Sequence, residues 1–131
     1  MNNMKNGKSG KIRLFSDLNA WKHGHILVLA IYKITDKFPK EEIFCLTSQI
    51  RRCAVSVTSN IAEGFSRQTY KDKVYFYSIS LGSVTELQNQ ILIARDLGYI
   101  SNHESPELYD KTIIVHKLLN GLIKSSKNHN S

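Results

Sequence analysis

The amino-acid sequence predicts an all-α fold, an antiparallel up-and-down four-helix bundle, on three observations. Apolar residues recur at helical spacing through four long stretches. The connections between those stretches are short enough to require antiparallel neighbours. Only two prolines and seven glycines occur among 131 residues, which leaves room for long helices, and no segment reads convincingly as a strand. With 41% hydrophobic and 22% charged residues the chain fits one compact domain that buries a real core.

Residues 1–13, rich in Asn, Gly, Ser and Lys, read as a flexible basic tail; the bundle domain occupies 14–124, and 125–131 read as a disordered polar tail. Gly7-Lys8-Ser9 looks like the end of a phosphate-binding loop, but Asn2 stands where that loop needs glycine and no strand precedes it. Helix one spans about Asp17 to Lys37, with Ser16 as its cap, Asp17 in the positive first turn and Pro39 closing it. Leu18, Trp21, His25, Val28 or Leu29, and Tyr32 form one apolar stripe, and Leu27, Ile31, Ile34 and Phe38 a second. The run Ile26 to Tyr32 is β-prone locally, but it lies inside a longer helical pattern without turn residues. It is also far short of the roughly 20 apolar residues that cross a bilayer.

Helix two starts at Pro39-Lys40-Glu41 and runs to Glu63, with Gly64 as its C-cap. Its seam is Ile43, Leu46, Ile50, Cys53, Val57 and Ile61. Residues 54–62 are uncharged, small and β-branched, so they are helical only where tertiary contacts hold them in a tightly packed centre. Helix three spans Thr69 to Leu97, roughly 43 Å at 1.5 Å per residue, capped by Thr69 and stopped by Gly98. Gly82 inside it costs about 1 kcal/mol of intrinsic helicity, which predicts a close helix contact there. Helix four runs from Pro106 to Lys124, with Leu108, Val115, Leu118 and Leu122 inward and Lys111, Lys117 and Lys124 outward.

The doubled stripes of the first two helices allow two readings: a second buried face in a homo-oligomer, or one broad core in a monomer. No secretory signal is visible in the polar, basic first residues, so the chain reads as cytoplasmic, and no membrane partner is expected. Cys45 and Cys53, eight residues apart and so about 12 Å apart on one helix, are too far to bridge and read as core.

Catalytic patterns are missing. No glutamate is followed three positions later by histidine, as two-metal bundle enzymes require, and His23 and His25 project about 200° apart on a helix. Neither a metal nor a cofactor is expected, and the chain reads as no enzyme. Glu63 and Glu86 are the carboxylates best placed for acid–base work, but a carboxylate beside Ser59 and Asn60, or near Arg51 and Arg52, more often fixes helix register. Tyr70, Tyr75 and Tyr77 have the chemistry to stack bases, although their spacing suits core or interface first.

The net charge of +7 gives an acidic partner such as nucleic acid as one explanation, solubility as another. Lys5, Lys8, Lys11 and Arg13 in the first tail, with Lys124 and Lys127 at the other end, leave only +1 for residues 14–123. Phosphate binding would therefore use the tails together with local clusters: Arg51-Arg52 midway along helix two, and Arg67, Lys71 and Lys73 at the start of helix three. Arg51 and Arg52 serve equally well as salt-bridge donors within or between subunits. The expected mechanism is sequence-tolerant binding of structured RNA or duplex nucleic acid through phosphates, multiplied by oligomerisation.

Phe15-x-Asp17-Leu18-x-x-Trp21, Phe38-Pro39-x-Glu41, Gln49-x-Arg51-Arg52-x-Ala54-Val55-Ser56-Val57-x-Ser59-Asn60-Ile61-Ala62-Glu63-Gly64, Gly82-Ser83-x-x-Glu86-Leu87 and Leu97-Gly98-Tyr99-Ile100 together carry a resemblance. From about Phe15 to Leu122 the chain resembles the four-helix bundle family of ribosomal-RNA intervening-sequence proteins, and it is similar to the accessory variability determinant (Avd) of diversity-generating retroelements. The resemblance implies a homopentameric ring with a basic outer surface, which in retroelement members binds a reverse transcriptase and its template RNA. It implies no catalytic residues. Arg51 and Arg52 become candidates for the charged surface or subunit contacts, while Ser59, Asn60 and Glu63 look structural, and Trp21, Gly82 and Glu86 join them as structural or oligomer positions. The alternative is a protein-interaction scaffold, or a ribosomal-RNA-associated protein without a catalytic role.

Overall fold

A computed structural model describes residues 10–129. Four helices follow one another: α1 (Asn19–Thr35), α2 (Leu46–Ser66), α3 (Tyr70–Asp96) and α4 (Glu104–His129), with single 3₁₀ turns at Phe15–Asp17 and Lys40–Glu42. No strand occurs among the described residues. Each helix packs on the next and α4 closes back on α1, whereas diagonal pairs do not pack, so the chain forms an up-and-down four-helix bundle. Leu27 and Ile31 of α1, Ile50, Val57 and Ile61 of α2, Val84, Leu87 and Ile91 of α3, and Val115 and Leu119 of α4 are wholly buried at its centre. Each such side chain contributes about 1.5–3 kcal/mol relative to exposure.

The helix ends follow local chemistry, partly at other residues than expected. The Asp17 carboxylate caps the preceding 3₁₀ turn rather than α1: it accepts from the Arg13 and Leu14 N–H groups, both at 2.9 Å, and those bonds hold its pKa below the usual value. Helix α1 starts two residues later, and no Ser16 side-chain cap is present. Pro39 precedes a 3₁₀ turn instead of opening α2. That helix begins at Leu46, whose N–H donates to the Glu42 carboxylate (3.3 Å), while the other Glu42 oxygen accepts from the Tyr99 hydroxyl (2.8 Å). Cys45, expected in the core, lies exposed just before α2; Cys53 is buried.

Gly64 does not end α2. The helix runs through it to Ser66, and the glycine marks a helix crossing: a Cβ there would lie 2.7 Å from Tyr77 Cε1 and 3.1 Å from Phe76 Cβ. Gly82, expected at such a crossing, has nothing within 4 Å of a Cβ. Gly24 supplies another close approach, to Thr58 Cγ2 at 3.0 Å. The small residues of α2 serve these contacts, and buried Ser80 Oγ donates to the Val57 carbonyl across the α2–α3 seam at 2.7 Å.

Helix α3 has the expected signals at both ends. Thr69 Oγ1 accepts from the Asp72 N–H (3.1 Å), and Gly98 takes φ +82° just beyond the helix. Helix α4 begins two residues before Pro106, where Ser101 Oγ accepts from the Glu104 N–H at 3.0 Å, and it continues past Lys124 to His129. The segment 125–129, expected as disordered tail, is helical because Ser126 turns inward and is buried and the His129 ring stacks on Tyr70 at 5.0 Å. Among the described residues no helix is long and apolar enough to cross a membrane.

Candidate nucleic-acid interface

The cations singled out by sequence fall into two groups, those spent inside the fold and those left at its surface. Arg51 belongs to the first. Its Nε donates to Thr35 Oγ1 (2.8 Å), its terminal nitrogen reaches the Tyr32 carbonyl (3.4 Å), and the guanidinium lies 4.7 Å from the Tyr32 ring centroid. It rivets α2 to the end of α1. Arg67 forms an ion pair with Glu63 at 2.8 Å and lies over the Phe76 ring. Lys73 Nζ donates to the Phe65 carbonyl at 2.6 Å and sits over the Phe65 ring, and burial lowers its pKa. These three groups stabilise the α1–α2 contact and the α2–α3 turn.

Arg52 and Lys71 belong to the second group. Arg52 is exposed and donates only to Ser48 Oγ one turn away, at 3.1 Å, while Lys71 is exposed and pairs with no described carboxylate. Lys11 and Arg13 are exposed at the start of the described chain. Lys8 lies outside the described residues. Lys124 and Lys127, which the sequence places among the tail cations available for phosphate binding, are exposed, and so is Lys22, which sequence reasoning did not single out. The signal that points to them is an absence of carboxylates: none occurs from Leu18 to Thr35 and none after Asp110.

The polar motif of α2 forms a ladder across the α2–α3 seam. Asn60 Nδ2 donates to the Ser56 carbonyl (2.9 Å) and hydroxyl (3.0 Å), and Ser56 Oγ lies 2.9 Å from Ser83 Oγ. The Cys53 thiol donates to the Ser83 carbonyl (3.1 Å) and to Glu86 (3.7 Å); burial, and secondarily the Glu86 carboxylate, push its pKa up to about 12. A thiol held neutral is a packing group, and Glu86 and Glu63 are both engaged in bonds along or beside this seam. Ser59 is exposed beside it. Trp21 stands between the edge of Phe15 (5.5 Å) and the face of His25 (4.7 Å), so His25 is exposed but stacked. No group of three or more His, Cys, Asp or Glu side chains placed to hold a metal occurs among the described residues.

Large apolar residues stay exposed on α1, at Ile26, Leu29 and Tyr32, and along a lateral face of α3. Tyr75, Ile79 and Ile93 of α3 and Leu97 just after it are exposed at helical spacing, with Gly82 and Glu86 between them, and Phe44, two residues before α2, is 91% exposed. Gly82 therefore sits open on an outward face, not between helices of this bundle.

Residues 16–121 match the model of a protein family described as "23S rRNA-intervening sequence protein". Among solved structures the chain is similar to a protein of unknown function from the S23 ribosomal protein family of Bacteroides thetaiotaomicron. That match has a TM-score of 0.74 and 21% sequence identity, over 80% of this chain and 95% of the other, and shows the fold alone. No curated protein matches.

Proposed function

The chain belongs to the 23S rRNA-intervening sequence protein family, and from that premise we propose that it is a nonenzymatic, homo-oligomeric protein that binds structured RNA through its phosphates. The observation that supports this most directly is a surface that keeps cations such as Arg52, Lys71 and Lys124 exposed without an ion pair to any described residue, in a family named for ribosomal RNA. Phosphate contacts position a protein on RNA without reading bases, so the binding is sequence-tolerant and salt-sensitive. Gel-shift titration against a mixed-sequence RNA duplex at two salt concentrations tests it. Affinity should fall steeply as salt rises, and no detectable binding at the lower salt would refute the proposal.

The uncovered α3 face supports the oligomer. A stripe of Tyr75, Ile79 and Ile93 around an open Gly82 suits apposition of another protein surface, and a ring of five copies is the assembly the family resemblance implies. Ile79→Asp should reduce the mass in solution to that of a protomer. The same face favours a second reading, a scaffold that docks a different protein such as a reverse transcriptase. Under that reading the unmodified chain alone is already monomeric.

A further inference from the structure

The charge of the molecule is divided between the two ends of the bundle. The up-and-down order brings the start of α1, the α2–α3 turn and the end of α4 to one pole, where Tyr70 stacks on His129 and Leu18–Ala20 face Leu118 and Leu122 across a depression. At this pole stand Lys11, Arg13, Lys22, Lys71, Lys124 and Lys127, all exposed and none ion-paired to a described residue. Three carboxylates share the pole: Asp17 accepts from backbone N–H groups and lies within electrostatic reach of Lys22 and Arg13, Glu63 is paired with Arg67, and Asp72 is exposed. The opposite pole holds Glu41, Glu42, Asp96, Glu104, Glu107 and Asp110, which offset its lysines and arginines.

The last three turns of α4 carry this asymmetry furthest. After Asp110 the helix has no acid, and a shallow depression of about 370 Å³ beside it is lined by Lys124, Ser125, Asn128 and His129, groups that can donate hydrogen bonds, with no carboxylate among them. A second depression of about 260 Å³, lined in part by Asn19 and Lys117, meets the first at Gly121. With helices 8–10 Å apart, the pole is roughly 20 Å across, wide enough for several phosphates.

We propose that this basic pole, and not the Arg51-Arg52 pair or the lateral face of α3, is the surface that grips the phosphate backbone of RNA. The inference rests on the RNA-binding reading above and locates it. A tip with an excess of cations attracts a polyanion end-on and leaves the apolar α3 face free for protein contact. The opposite pole repels RNA and fixes the direction in which the bundle approaches.

The test compares two charge reversals of equal size in the full chain, titrated against a 20-base-pair mixed-sequence RNA duplex. Lys124→Glu with Lys127→Glu changes the basic pole, and Lys33→Glu with Lys111→Glu changes the other. The first pair should weaken binding at least tenfold at low salt and flatten the log–log salt dependence by about two phosphate contacts; the second should leave affinity within about threefold. Lys124→Gln with Lys127→Gln should show a smaller loss of the same kind, and serves where the reversal disturbs folding. Equal losses from both reversals would overturn the location by showing that only total charge matters. Unchanged binding in the first pair overturns it too, while leaving the RNA-binding reading intact. Absence of binding by the unmodified chain overturns both.

Discussion

Gly64→Ala and Gly82→Ala are the same chemical change and should have opposite effects on stability. At Gly64 the new methyl would lie 2.7 and 2.8 Å from Tyr77 Cε1 and Cδ1, and 3.1 Å from Phe76 Cβ. Tyr77 is only 2% exposed and cannot swing outward, and the Phe76 atom is fixed to the α3 backbone. Helices α2 and α3 must therefore separate. Overpacking of this kind costs about 1–3 kcal/mol, against which a better helix former returns about 0.5–1 kcal/mol. The expected net loss is about 1–2 kcal/mol, which for a domain of this size lowers Tm by roughly 3–8 °C. At Gly82 no atom lies within 4 Å, so only the helix-propensity gain remains, and Tm of the protomer should rise by a few degrees. Thermal unfolding followed by circular dichroism, at concentrations where the protein is monomeric, measures both. Equal stabilisation by the two substitutions would refute the tight crossing at Gly64. Destabilisation at Gly82 that appears only in the assembled protein would place that residue in a subunit contact.

Ser80→Ala removes the buried 2.7 Å bond to the Val57 carbonyl and should lower the urea midpoint by an amount equivalent to about 1 kcal/mol, with an unchanged m value. Thr69→Ala removes the cap on Asp72 N–H; a loss of about 1 kcal/mol is expected, with faster amide exchange in the first turn of α3. At pH 8 a maleimide should label exposed Cys45 quickly and Cys53 only on unfolding, read by mass spectrometry. Burial raises Cys53 from 9.0 and Tyr77 from 10.0, each to about 12, so the folded state keeps protons that the unfolded chain has lost. Their contribution to stability is therefore complete below about pH 9 and falls as pH rises toward 12, measurable as a falling urea midpoint across that window.

How much of this was legible in the sequence depended on the range of the interactions involved. Thr69 and Gly98 bracket α3 through contacts made within a few residues, so the sequence states them directly. The glycines of the two central helices read the other way round. Whether Gly64 ends a helix or seats a ring is decided by Tyr77 thirteen positions on, and that Gly82 is open is decided by which face of α3 turns away from the other helices. The end of α4 was hidden by polar composition, although Ser126 packs inward and Tyr70 receives His129 from the far end of the chain. Arg51 stood open between a surface cation and a pairing donor because Thr35 and Tyr32, its partners, lie a helix away. The polar asymmetry was present as two acid-free stretches, but only the antiparallel order of α1 and α4 places their basic ends together.

The circular order of the bundle also sets the sequence in which its seams can close. Val57 and Ser80, which meet across α2 and α3, are 23 residues apart, whereas Ala30 and Leu108, which line one groove between α1 and α4, are separated by most of the chain. In an unfolded chain that difference raises the loop-closure entropy of the outer seam by about 1 kcal/mol. The α2–α3 hairpin, joined by only three residues, is therefore expected to form first, with docking of α4 on α1 last. The same seam opens first in the native state, so amides of α1 and α4 should exchange ahead of those around Val57 and Val84. A polyanion that bridges Lys22 and Lys124 would act as a clasp on that seam, linking occupancy of the tip to the cooperativity of the whole fold.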